Sequence, residues 1–235
     1  MNDVTINYVV AVYISDGVCR NNLYHRIDKY FAVKYHIDVL NVNRGIYPLI
    51  VKITFVVNKS EHVQEGEIES IIESRNSKKI PIEVKYRDNF GLSYGAWEHH
   101  IRESLHENYD YYFLTEDDYV PNLLYAGAFY DPFIEKSDDK TAFVCGLWTT
   151  HPSVLYGLYN AKICKHVLES NGEIIPRYNQ KSQECRQEII SYQEFYHLNF
   201  LKSGYQIIDT TDKVPTIFRR NSYGVNGSPP ILPLI

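Results

Sequence analysis

The stretch Asp110-Tyr111-Tyr112-Phe113-Leu114-Thr115-Glu116-Asp117-Asp118-Tyr119-Val120-Pro121 decides how this chain is read. Its first half, Asp110 to Leu114, is aromatic and apolar, the pattern of a strand buried within a sheet. Its second half sets three carboxylates in a row directly after that strand. Such charges repel by a few kcal/mol per close pair even at an effective dielectric of about 20. They persist at a sheet's edge only with a compensating cation or proton, or turned into open water. Hard divalent ions such as Mg²⁺ and Mn²⁺ bind one or two carboxylates and complete their shells with phosphate oxygens and water. The cluster therefore suggests a metal bridge to a diphosphate, and a solvated acidic turn is the alternative. The strand before it and the Pro121 turn after it favour a site.

Upstream, strands and helices alternate. Tyr8 to Ile14 is a continuous β-branched run, and Lys52 to Val57 is a second one ended by Asn58-Lys59-Ser60. Pro81 to Tyr86 is a third, closed by Asp88-Asn89. Between them, Leu23, Ile27 and Phe31 recur at helical spacing, as do Ile68, Ile71 and Ile72. Gly91 to Glu107 follows as a helix with Tyr94, Trp97, Ile101 and Leu105 on one stripe. This alternation predicts a mostly parallel α/β sheet with helices on both faces. Ligands of such sheets sit at the carboxyl ends of the strands, so Ser15, Asn58, Asp88-Asn89 and the acids should converge there. Downstream, Thr141 to Trp148 reads as a strand, Asn160 to Ser170 as a helix, and Glu188 to Lys202 as a longer helix ended at Gly204. The tail from Asn221 reads as irregular.

Composition narrows the function. A chain of 235 residues, 44% hydrophobic and 23% charged, can fill a core without staples, since folding removes roughly 70% of its unfolded surface. Long intrinsic disorder is excluded. The net charge of -5 argues against a nucleic-acid partner. Cys19, Cys145, Cys164 and Cys185 have no Cys-x-x-Cys spacing, so zinc and redox motifs fail and reduced buried thiols are expected. With no run long enough for a membrane span and no signal-peptide pattern at Met1-Asn2-Asp3, the expected location is cytoplasmic. Walker and Gly-x-Gly-x-x-Gly motifs are absent, which ranks kinase and dehydrogenase readings low.

The order of strand, Asn58 turn, strand, Asn89-x-Gly91-x-Ser93-x-Gly95, helix, and then Tyr111 through Pro121 resembles the nucleotide-sugar half of GT-A fold glycosyltransferases. The resemblance covers residues 6 to 125, with a weaker echo at 188 to 206. It implies a single GT-A-like domain with a Rossmann-like central sheet. Residues 1–120 would form its nucleotide-sugar half and 121–235 its acceptor half. It also implies a metal-dependent transferase that moves a sugar from a nucleoside-diphosphate sugar, with UDP favoured, to an acceptor hydroxyl on a glycan or another hydroxyl acceptor, with inversion favoured. Asp118 matches the metal-contacting acid, served by Mn²⁺ or Mg²⁺. Glu116 and Asp117 match positions contacting ribose and metal-bound water or phosphate, and Asn58 a position reading base or ribose. Ser15, Asn89 and Tyr94 join the nucleotide-sugar set, with Ser15 and Arg20 equally explained by a plain helix start. The first strand departs from the family pattern in ending Ile14-Ser15-Asp16-Gly17.

An inverting transfer needs a carboxylate to take the acceptor's proton. Glu194 is the choice, because Ile190, Glu194, His197 and Leu201 fall on one helical row of mostly apolar character and Gly204-Tyr205 follows. A surface pair with His197 or Lys202 is the alternative for Glu194, and Glu184 and Glu188 are the next candidate bases. Trp148 would stack on an acceptor sugar or pack in the interior. Arg219-Arg220 would close over a diphosphate or form a surface pair. Two other functions compete: a sugar-phosphate nucleotidylyltransferase, for which the segment after the first strand is a poor match, and a silent sugar-nucleotide-binding module.

Overall fold

The computed structural model of the chain describes residues 4–15, 28–43, 50–117, 119–121, 135, 138–145, 156–174, 197–209 and 218–220. The run Ile6–Tyr13 forms β1, buried at every position except Tyr13, as a strand covered on both faces must be. β2 (Ile50–Asn58) lies parallel to it on one side, from Asn7 opposite Lys52 to Tyr13 opposite Asn58. β3 (Ile82–Arg87) continues parallel beyond β2. β4 (Tyr111–Glu116) lies on the other side of β1, also parallel, with Ala11 opposite Glu116.

The chain thus builds outward from β1 through β2 to β3, then returns to β1's free side for β4. That reversal leaves a crevice at the carboxyl ends of β1 and β4, where open α/β sheets bind their ligands. β6 (Thr141–Cys145), β7 (Tyr156–Asn160) and β8 (Gln206–Asp209) complete a seven-stranded sheet of order β3-β2-β1-β4-β7-β6-β8. β7 runs antiparallel to both neighbours and is the exception to the expected parallel pattern. Its Gly157 allows it to approach: a Cβ there would lie 2.8 Å from the carbonyl oxygen of Val144 on β6.

Alternate side chains of β1 feed two cores. Tyr8, Val10 and Val12 meet Val33, Ile37 and Leu40 of α1 (Phe31–Asn43) and Ile68 of α2 (Glu67–Arg75). Val9 and Ala11 share the other core with α3 (Leu92–Glu103), α4 (Ala161–Asn171) and Phe200 of α5 (Leu198–Lys202). Helices therefore cover both faces, as the alternation predicts. Asn160 caps α4 by accepting from the Ile163 N–H at 3.2 Å.

Several elements differ from the sequence reading. The described helix before β2 begins at Phe31, where the expected one ended, and Leu23 and Ile27 lie outside the described residues. Asp28 starts it, its carboxylate accepting from the Tyr30 N–H at 2.9 Å and its carbonyl from the Phe31 N–H at 3.0 Å. α3 stops at Glu103 rather than Glu107, because Ser104 turns its hydroxyl back onto the His100 carbonyl at 2.8 Å. At the far end, the helix expected from Glu188 to Lys202 is described only as the short α5. There Leu201, expected on a buried row, is 46% exposed, and Asn199 and Phe200 turn inward instead. A two-stranded ladder of β5 (Tyr119–Pro121) and β9 (Phe218–Arg220) was not read from the sequence at all.

Candidate active site

The four parallel strands end on Tyr13, Asn58, Arg87 and Glu116, side by side at one edge of the sheet. Asp117 follows β4 immediately and is buried, with 2% of its surface exposed. Its N–H donates to the Ala11 carbonyl at 3.0 Å, which extends the β1–β4 ladder by one bond. Its Oδ2 accepts from the Tyr13 N–H at 3.1 Å, so its carboxylate spans the crevice between β1 and β4. Glu116, half-buried, accepts from the Ser93 hydroxyl in the first turn of α3, where the helix's N-terminal dipole favours a negative charge.

The turn from β3 into α3 explains that reach. Gly91 (φ +67°) and Leu92 (φ +54°) are both left-handed, which swings the chain abruptly from strand to helix. For leucine this backbone costs about 1–2 kcal/mol, stored at the ligand edge of the sheet. Asn58 secures it. The Asn58 amide donates to the Leu92 carbonyl at 3.3 Å and accepts from Arg87 at 2.7 Å, while Arg87 also donates to the Phe90 carbonyl at 2.9 Å. Trp97 then ties α3 to β4 by donating to the Thr115 carbonyl at 3.1 Å. On β1's side, Ser60 donates to the Ile14 carbonyl at 2.6 Å, holding the approach to Ser15.

Beneath the acids lies His36 of α1, fully buried. Nε2 of His36 sits 3.3 Å from the Asp117 carbonyl and Nδ1 3.1 Å from the Tyr8 hydroxyl. A carbonyl only accepts, so Nε2 carries the proton and the Tyr8 hydroxyl donates to Nδ1. Burial lowers the pKa of His36 to about 4 against the opposing pull of Asp117, so the ring is neutral.

The expected residues are placed in different ways. Ser15, Asn58, Asn89, Glu116 and Asp117 gather at the carboxyl edge. Asn58 spends its amide on the β3–α3 turn, and Tyr94 is buried edge-on against Trp97 with ring centroids 5.2 Å apart. Arg20, Asp118, Trp148, Glu184, Glu188 and Glu194 lie outside the described residues. Arg219 and Arg220 come to the site by register, opposite Val120 and Tyr119, just past the acids. Sequence reasoning singled out neither His36 nor Tyr13 at this edge. Tyr13 is 37% exposed at the carboxyl end of an otherwise buried strand, and the break at Ser15-Asp16-Gly17 marked that strand end.

Among the described residues, no three His, Cys, Asp or Glu side chains gather to hold a metal ion. The donors at the end of β4 are nonetheless all carboxylate oxygens, with Asp118 next in the chain, the ligand chemistry of Mg²⁺ and Mn²⁺. Among the described residues no helix is long and apolar enough to cross a membrane.

The sequence matches no protein-family model and no curated protein. The fold is similar to that of a mannosyltransferase from Pyrobaculum calidifontis in complex with GDP-Man and Mn²⁺, with TM-score 0.51 and 11% identity. That match covers 88% of this chain and 55% of the mannosyltransferase, so the chain spans about half its length. A putative glucose-1-phosphate thymidylyltransferase from Bacillus anthracis matches with TM-score 0.51 and 14% identity, over 88% of this chain and 86% of that one. A cytidylyltransferase from Leptospira borgpetersenii matches with TM-score 0.50 and 8% identity, over 89% and 77%. The chain has the GT-A-like α/β fold that sugar transferases and nucleotidylyltransferases share.

Proposed function

We propose that the chain is a metal-dependent glycosyltransferase that moves a sugar from a nucleoside-diphosphate sugar to an acceptor hydroxyl. The observation that carries this reading is the acid set at the β1–β4 crevice, with Asp117 fastened to the Tyr13 N–H between Glu116 and Asp118. Fixing the middle carboxylate on main chain offsets part of the repulsion and leaves the reading with Asp118 as metal ligand and Glu116 beside it. A bound Mn²⁺ or Mg²⁺ would offset the charge on the departing diphosphate. Ser15, Asn89 and the exposed ring of Tyr13 line the donor side, and Asn58 and Tyr94 brace it from behind.

The finer reading is a UDP-sugar donor and an inverting reaction. Glu194 then takes the acceptor proton, with Glu184 and Glu188 as the next candidates, and Trp148 stacks on the acceptor. Residues 1–120 serve the donor and 121–235 the acceptor. Thermal melting with UDP, GDP, CDP and dTDP, each with Mn²⁺ and with EDTA, tests the donor site. A rise confined to the Mn²⁺ samples is expected, by ligand linkage; an equal rise in EDTA overturns the metal bridge. Slow donor hydrolysis across a panel of sugar nucleotides separates an enzyme from a silent module. Pyrophosphate release from a nucleoside triphosphate and a sugar phosphate would assign nucleotidylyl transfer instead.

A further inference from the structure

Glu116 at the end of β4 is restrained by a residue from another element. Ala11, Val56, Tyr112 and Leu114 share the core under α3, so strand alternation puts Tyr13, Asn58 and Glu116 on that same face of the sheet. Ser93, the second residue of α3, donates its hydroxyl across to the Glu116 carboxylate.

Where Ser93 stands is decided one residue earlier. The Leu92 carbonyl shares a rigid plane with the amide nitrogen and Cα of Ser93, because the peptide bond between them does not rotate. Asn58 holds that carbonyl, donating to it at 3.3 Å. Its amide has one orientation, since its oxygen accepts from Arg87 at 2.7 Å and a guanidinium only donates. Arg87 also donates to the Phe90 carbonyl at 2.9 Å, so the Gly91-Leu92 pair is held at both ends. Both residues are left-handed (φ +67° and +54°), and a leucine keeps that conformation only where its surroundings impose it. A line of contacts thus runs from the end of β2 through a strained turn to the acid at the end of β4.

We infer that Asn58 and Ser93 are positioning residues, which order Glu116 for the donor before it binds. This rests on the donor-site reading above, in which Glu116 meets the bound donor. Asn58 and Ser93 act through that acid: Asn58 sets the turn, the turn places Ser93, and Ser93 restrains a long side chain whose ordering would otherwise be charged against binding. The role differs from the base reading expected for Asn58, because a residue that fixes Glu116 acts alike on every nucleotide.

The test measures binding of UDP, GDP, CDP and dTDP to the full chain by calorimetry in Mn²⁺. Ser93→Ala should weaken each by roughly three- to tenfold, the cost of ordering one more side chain on binding. Ser93→Thr, which keeps the hydroxyl, should recover most of that loss. Asn58→Asp still accepts from Arg87 but sets an oxygen against the Leu92 carbonyl, and should weaken all four diphosphates by the same factor. A changed preference among them would return Asn58 to base reading and overturn its positioning role. In a Glu116→Ala background, Ser93→Ala should cost less than about twofold, because its effect passes through the missing acid. Losses that multiply independently, or Ser93→Ala with wild-type affinity, overturn the positioning while the donor site stands. Wild-type protein that binds none of the diphosphates with Mn²⁺ overturns the donor-site reading and the positioning with it.

Discussion

The N–H of Tyr13 donates to Oδ2 of Asp117 at 3.1 Å, joining the ends of two strands that are neighbours in the sheet and 104 residues apart in the chain. Removing the acceptor strands that N–H at a half-buried site. Asp117→Ala should therefore cost about 1–2 kcal/mol of stability, read as a lower urea midpoint with unchanged slope. Asp117→Asn retains an acceptor oxygen and should recover most of it. Glu116→Gln still accepts from Ser93 and should shift stability by less than about 0.5 kcal/mol while weakening Mn²⁺-dependent diphosphate binding. Equal stability losses at the two positions would mean that Asp117 does not fasten the strands.

Tyr13 is 37% exposed while its main chain is occupied with Asp117, and on the proposed donor-site reading its ring is the surface offered to a nucleobase. Tyr13→Ala keeps the main-chain bond and loses only the ring. It should weaken nucleoside diphosphate binding by roughly 1 kcal/mol, about fivefold, and leave the melting temperature of the free protein nearly unchanged. Tyr13→Phe should bind like wild type. If calorimetry gives Tyr13→Ala wild-type affinity, the base rests elsewhere.

The first half of the fold was legible because β1, β2 and β4 are long apolar runs that permit one reading, and turn residues punctuate them. The carboxyl-edge rule then brought Ser15, Asn58, Asn89 and Glu116 together without any knowledge of packing. Asn58 and Tyr94 illustrate its limit. Position at the edge was readable, but the bonds of Asn58 to Arg87 and Leu92, and the burial of Tyr94 on Trp97, depend on tertiary contacts that no spacing encodes. His36 was invisible for the same reason, since a histidine on an apolar helix face carries no sign of the carbonyl it meets. β7 and β8 escaped because four or five residues containing a glycine or a glutamine give too short a pattern to separate from a loop.

Gly157 offers a check on that unforeseen part of the sheet. β7 is wedged between β4 and β6, and a methyl group at Gly157 would press on a main-chain oxygen, which cannot swing aside as a flexible side chain would. Gly157→Ala should destabilise the fold by about 1–3 kcal/mol in chemical denaturation. A neutral substitution would mean that β7 pairs more loosely than the register of Leu114 with Gly157 implies.

Two buried imidazoles give stability a defined pH dependence. His36 is pushed down to about 4, chiefly by burial. His100 is lowered well below its usual value, again first by burial and then by the charges of Lys85 and Lys52 and by His99. Its Nε2 is within 2.9 Å of the Asn7 amide, which donates to it, and its Nδ1 has no hydrogen-bond partner among the described residues. In the unfolded chain both rings take up a proton near pH 6.5. Below that pH the unfolded state binds protons that the folded state refuses, so stability is full above about pH 6.5 and is lost as pH falls toward 4. Each ring contributes a slope of roughly 1 kcal/mol per pH unit across that window. Depressed carboxylates such as Glu67 and Glu107 add losses of the same sign at lower pH, so the assignment rests on a variant. His100→Gln keeps an acceptor for Asn7 and cannot be protonated. Its urea midpoints between pH 6.5 and 4.5 should decline less steeply than wild type, the lowered His36, His99 and His197 keeping the rest of the slope, and a decline as steep as wild type would remove His100 from the account.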